Sequence, residues 1–189
     1  MNLPTKLTLL RLLLIPIIVS FLYIPGRTTN LIAAILFFIA ALSDLFDGFL
    51  ARRYNCVTTM GKLLDPMTDK LLVLIILIFL VELNRVEGWM ASVILAREII
   101  ITTLRAIAVE KGEVIAARWS GKIKTLFQLS SLNLLILHHP YFSVDMQKIG
   151  TYLLWVALFF SVISGVEYFK RFYRLVLGSR HPSVPPPIS

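Results

Sequence analysis

One cysteine, three histidines and few charges mark this 189-residue chain. The lone thiol, Cys56, has no partner for a disulfide or a paired metal site and reads as a loop residue. Charged residues make up 16% of the chain against 57% hydrophobic, and mean hydropathy is +0.80. That leaves too little polar surface to clothe a water-soluble globule of this size. There is no internal repeat, so a single membrane domain suffices. There is also no small-residue cleavage site and no cationic leader before the first apolar run. The segment opening Met1-Asn2-Leu3-Pro4-Thr5 therefore reads as a retained span, not a signal peptide.

What the chain does have is apolar runs of about 20 residues, the length that crosses about 30 Å of hydrocarbon. They are predicted near 6–25, 30–53, 61–82, 88–110, 120–138 and 147–169. The gaps carry turn chemistry, such as Pro25-Gly26 and His138-His139-Pro140, so successive helices should be antiparallel. Fourteen Lys and Arg fall on one side and three, Arg27, Arg85 and Lys148, on the other, with Arg97 and Arg105 inside the fourth span. The bias places both termini in the cytoplasm. The expected fold is all-α: six transmembrane helices around a cytoplasm-facing polar cavity in the cell membrane. Residues 1–175 form the membrane domain and 176–189 a flexible proline-rich tail. A net charge of +8 that flanks membrane spans suits lipid headgroups and anionic substrates, and no nucleic acid is expected as a partner.

Four of the eleven acidic residues, Asp44, Asp47, Asp65 and Asp69, lie within 26 positions at the ends of two apolar runs. An ionised group at bilayer depth is disfavoured by roughly 3 kcal/mol or more, so such residues point to function. Helical spacing puts Asp44, Asp47, Gly48 and Ala51 on one stripe, and Gly61, Asp65 and Asp69 on another. With a short connection between them, the stripes are expected to face each other in a pocket open to the cytosol. Hard oxygen donors without nearby histidine or cysteine suit Mg²⁺ or Mn²⁺, and magnesium bound this way implies a phosphate-bearing substrate. The small residues Gly48, Ala51 and Gly61 leave room for that ligand, although small residues also serve close helix packing. Arg52 offers a planar fork that matches a pyrophosphate.

The pattern D-x2-D-G-x2-A-R-x8-G-x3-D-x3-D is complete at Asp44, Asp47, Gly48, Ala51, Arg52, Gly61, Asp65 and Asp69. It resembles the signature of the CDP-alcohol phosphotransferase family. The resemblance implies a membrane enzyme that moves a phosphatidyl or similar group from a CDP-linked donor to an alcohol and releases CMP. It implies that Asp44, Asp47, Asp65 and Asp69 hold one or two divalent metals, with Asp69 also the general base. It further implies that Gly48, Ala51, Arg52 and Gly61 receive the CDP portion, that Thr8 lines the nucleotide pocket, and that the protein is a homodimer.

Asn2 to Arg11, Ala96-Arg97-Glu98 and Gly121 to Gln128 are similar to the corresponding segments of family members whose acceptor is glycerol 3-phosphate, with CDP-diacylglycerol as donor. Arg105, Arg118, Lys122 and Lys124 are the expected acceptor-phosphate ligands, with topology setting the alternative role for the last three. Arg97 and Glu98 are expected to position helices by pairing with neighbours. His138, His139 and Asp145 read as an interfacial loop, since adjacent histidines project in different directions. Inositol phosphate or phosphatidylglycerol are the alternative acceptors. A membrane prenyltransferase would lack the Gly, Ala and Arg positions, and a transporter would be expected to show an internal repeat.

Overall fold

The computed structural model describes residues 3–54, 59–110, 119–141 and 143–174, and the side chains of 10–43, 70–110, 119–141 and 143–174. Among the described residues the regular structure is six α-helices with no strand: α1 (Leu3–Tyr23), α2 (Arg27–Tyr54), α3 (Thr59–Glu82), α4 (Gly88–Glu110), α5 (Trp119–Leu137) and α6 (Met146–Phe172). Each predicted run is a helix, with ends moved by at most three residues. The expected tail, 176–189, lies outside the described residues.

The helices stop where the sequence supplies a backbone that can turn. At the end of α3, Asn84 is left-handed with φ of 56°, Arg85 N donates to Leu80 O at 2.8 Å and Asn84 N to Val81 O at 3.0 Å. These are the two bonds of a Schellman motif, with asparagine where glycine is commonest. His138, with φ of 57°, closes α5 in the same left-handed region. Asp145 caps α6 by accepting from Lys148 N at 3.1 Å.

Packing is most intimate between α5 and α6. A Cβ on Gly150 would lie 2.8 Å from Leu135 Cγ, and Ser131 Oγ donates to Gly150 O at 2.7 Å, so glycine is what lets the two backbones meet. Helix α1 packs on α2 and α3, α5 bridges α2, α3 and α6, and α4 packs on α3 and α6. The core runs from Ile18 and Leu22 through Ala33, Phe37 and Leu77 to Leu135. The outer faces are apolar too: Leu13, Phe38, Ile99, Leu126 and Phe159 are all exposed. Among the described residues, Met146–Phe172 alone is long and apolar enough to cross a membrane, and Leu10–Tyr23 and Arg27–Ser43 are shorter apolar stretches.

Candidate active site

Asp44, Asp47, Gly48, Ala51 and Arg52 lie in the last part of α2, and Gly61, Asp65 and Asp69 in the first part of α3. Asp44 is ten residues before Tyr54 and Asp69 ten after Thr59, which sets each about 15 Å along its helix from the 55–58 connection. The acidic positions are thus placed at similar depth on consecutive helices. The side chains of these eight residues, and of Thr8 on α1, lie outside the described part, as do the whole of Cys56 and Arg118.

A depth marker comes from α1, which packs on α3. Tyr23 Oη donates to Glu82 Oε1 at 2.6 Å and its ring meets Phe79 edge-on at 5.8 Å, so the two helices finish together. Counting back at equal rise brings Arg11 level with Lys70, the neighbour of Asp69. Arg11 is only 1% exposed. The sequence counted it among the charges that mark the cytoplasmic side, whereas the fold places it inside the bundle.

A second polar group joins α4, α5 and α6. Arg97 Nη1 and the Lys124 ammonium both bond Glu98 Oε1, the first at 3.1 Å. Arg97 also donates from Nη2 to Ser164 Oγ at 2.6 Å and from Nε to Ser161 O at 3.3 Å. The pairing of Arg97 and Glu98 with neighbouring helices is therefore present as expected. Lys70 reaches across from α3 to Thr102 Oγ1 on α4. Gln128 Nε2 and Ser161 Oγ are buried with no hydrogen-bond partner among the described residues.

The acceptor candidates separate by burial. Lys124 is 3% exposed, while Lys122 and Arg105 are exposed. Two residues along a helix is a rotation of about 200°, which turns Lys122 and Lys124 to opposite sides of α5. The Arg105 guanidinium stands over the ring of Tyr168, 5.9 Å from its centroid. Lys70 entered the sequence reading only as a cytoplasmic-side charge and Gln128 only as the end of the segment from Gly121, while Ser161 and Ser164 were not singled out. The serines' only signal was a polar residue inside an apolar run, which serine gives weakly.

The far end of the bundle is knit differently. Arg85 donates to Ile136 O at 2.9 Å and Leu135 O at 3.3 Å, carbonyls in the last turn of α5. Burial holds its pKa below the usual guanidinium value. Gln147 Nε2 donates to Arg85 O at 2.8 Å, and Gln147 Oε1 lies 3.1 Å from His138 Nδ1. Burial and the neighbouring His138, Arg85 and Arg27 hold the His139 pKa below the ordinary imidazole value. Asp145 is occupied with Lys148, and no three metal-ligating side chains gather among the described residues. The His138, His139 and Asp145 segment is a connecting loop.

A family model for CDP-alcohol phosphatidyltransferase matches residues 1–163. A Bacillus subtilis (strain 168) protein named CDP-diacylglycerol–glycerol-3-phosphate 3-phosphatidyltransferase is 43% identical over 182 residues, which covers 90% of this chain and 94% of the relative. Proteins of the same name from Rickettsia felis, 38% identical over 171 residues, and Salmonella choleraesuis, 40% over 172, cover 89% and 88% of the chain and 94% and 92% of their own lengths. The match runs through α1 to α5 and into α6, taking in both helices that bear the eight-position signature and, of the polar group, Arg97, Glu98, Lys124 and Ser161. On that extent of agreement, the chain belongs to the CDP-alcohol phosphatidyltransferase family.

Proposed function

We propose that this protein transfers the phosphatidyl group of CDP-diacylglycerol to glycerol 3-phosphate, giving phosphatidylglycerophosphate and CMP. The observation that carries the reading is identity of about 40% over nine-tenths of the chain to relatives named for that donor and acceptor. The complete acidic signature supports the same chemistry, since four carboxylates without histidine or cysteine are a donor set suited to Mg²⁺ or Mn²⁺. Asp44, Asp47, Asp65 and Asp69 would hold the cation. When bound, it supplies neutralisation of the diphosphate and stabilisation of departing CMP.

The remaining work falls to the chain. Gly48, Ala51 and Gly61 leave room for the cytidine diphosphate, Arg52 forks onto its phosphates, and Thr8 lines the nucleotide pocket. Asp69 takes the proton of the acceptor hydroxyl as its oxygen bonds to the phosphatidyl phosphorus and the bond to CMP breaks. Lys124 and Arg105 seat the acceptor's own phosphate, while Arg118 and the outward-facing Lys122 attract it to the mouth of the site.

The setting in this reading is the cell membrane, crossed six times, with the site open to the cytoplasm and the protein paired as a homodimer. Apolar outer faces on α1, α2, α4, α5 and α6 support it. So do exposed aromatics at both ends of the bundle: Tyr23 and Trp89 at one end, Trp119 and Tyr173 at the other.

The test is CMP release by detergent-purified protein from CDP-diacylglycerol with Mg²⁺, offering glycerol 3-phosphate, inositol phosphate, serine and phosphatidylglycerol separately. Release with glycerol 3-phosphate alone is expected. Release with another acceptor would overturn the assigned product and keep the chemistry, and no release by folded protein would overturn both.

A further inference from the structure

The polar group between α4, α5 and α6 contains an ion pair built from two helices and braced by a third. Lys124 comes from α5 and is all but fully buried, and its ammonium sits on the Glu98 carboxylate of α4. A buried ammonium needs a fixed counter-charge, because desolvation otherwise disfavours its charged form. Glu98 is itself fixed, since Arg97 Nη1 bonds the same carboxylate oxygen at 3.1 Å. Arg97 in turn is anchored on α6 by Ser164 Oγ at 2.6 Å and Ser161 O at 3.3 Å. The chain of contacts runs α6, Arg97, Glu98, Lys124. Its last member is the one cation of the group that is an acceptor candidate.

Carboxylate and phosphate both offer anionic oxygens to an ammonium. A carboxylate braced in this way sets the place and the depth of the ammonium before any ligand arrives. Lys70 and Thr102 tie the same level of α4 to the residue after Asp69, so the depth of Lys124 is held relative to the helix that carries two of the signature aspartates.

We propose that Glu98 is a positioning residue for the acceptor. It acts through Lys124, holding the buried ammonium where the phosphate of a small phosphorylated alcohol docks, and Arg97 anchors it to α6. This rests on the reading of Lys124 as an acceptor-phosphate ligand. Without the Glu98 charge the ammonium loses the counter-charge that α4 supplies and shifts in its seat, so the acceptor is held less well while the donor, bound at α2 and α3, is not.

The experiment measures CMP release by the full-length purified protein in micelles with Mg²⁺, varying glycerol 3-phosphate and CDP-diacylglycerol in turn. It compares the parent with Glu98→Gln, Glu98→Asp, Lys124→Met and the double variant Glu98→Gln/Lys124→Met. Glu98→Gln is expected to raise KM for the acceptor on the order of tenfold or more, the effect of losing one charge-assisted bond, and to move KM for the donor less than about twofold. Glu98→Asp, which keeps the charge, should recover part of the loss. In the Lys124→Met background, Glu98→Gln should add less than about twofold, because the two residues act as one unit.

Equal changes in both KM values, or effects that multiply in the double variant, would overturn the proposal and leave Glu98 a packing residue. If Lys124→Met leaves KM for the acceptor unchanged, the underlying reading of Lys124 fails, which is a separate result. Should Glu98→Gln not fold, Glu98→Asp carries the comparison: a rise confined to KM for the acceptor supports the proposal, and no rise overturns it.

Discussion

Lys70 on α3 donates to Thr102 Oγ1 on α4, and Thr102 Oγ1 donates in turn to the backbone Glu98 O at 2.7 Å. Lys70 follows Asp69 in the chain, so the helix bearing Asp65 and Asp69 is fastened to the helix bearing Arg97, Glu98 and Arg105 one residue beyond the proposed base. The Lys70–Thr102 bond is made outside the signature positions, so isosteric changes at those aspartates should alter chemistry and leave this link in place.

Asp69→Asn removes the proposed proton acceptor and keeps its volume. CMP release should fall by about 10²- to 10⁴-fold, the usual contribution of a positioned general base. Mg²⁺-dependent binding of CDP-diacylglycerol should remain measurable. Full turnover in this variant would remove Asp69 from the role.

Arg105→Ala removes a cation that the Tyr168 ring holds at the cytoplasmic end of α4 in the proposed topology. KM for glycerol 3-phosphate should rise on the order of tenfold and KM for CDP-diacylglycerol much less. Equal effects in the initial-rate measurement would argue against contact with the acceptor's phosphate.

Arg85→Met strips two charge-assisted bonds from the carbonyls of Leu135 and Ile136. The cost should be about 2 kcal/mol, the scale of hydrogen bonds to a charged group. The melting temperature of the purified protein should drop by about 5 °C. The specific activity of the folded protein at low temperature should stay at the parent's value, because the bonds lie at the far end of the bundle from α2's acidic end.

Asp145 caps α6, and the backbone N–H of Lys148 is the first cause that holds its carboxyl below the ordinary carboxylate range. A depressed native pKa means stability present above the unfolded carboxyl's pKa and lost as pH falls through the native one. Asp145→Ala should therefore melt earlier than the parent at neutral pH. The gap should close as the pH is taken down through the native carboxyl's titration, in acid below the usual carboxylate range. A gap that stays constant in melting curves over that range would mean the cap does not titrate with folding.

The helices were legible in the sequence because each is an apolar run closed by a turn that local chemistry dictates. Asn84 and His138 stop α3 and α5 through their own backbone conformations, which neighbouring residues alone can set. The acidic signature was legible for another reason: its eight positions are fixed by spacing along two consecutive helices, and spacing is what a sequence records. The partner of Glu98 on α5 was not. Lys124 is 26 residues away, and nothing local to either residue says which faces of α4 and α5 meet.

The sequence by itself determined the six helices, their order, the acidic positions and the family, since all of these are local or periodic properties. Tertiary packing alone decided that Lys124 turns inward while Lys122 turns out, that Arg11 is enclosed in the bundle, and that Ser161 and Ser164 on α6 receive Arg97. The physical reason is the close approach of α5 to α6 at Gly150 together with the packing of α4 on α6. These contacts fix the rotation of each helix, and rotation, unlike length or spacing, is set by neighbours distant in the chain.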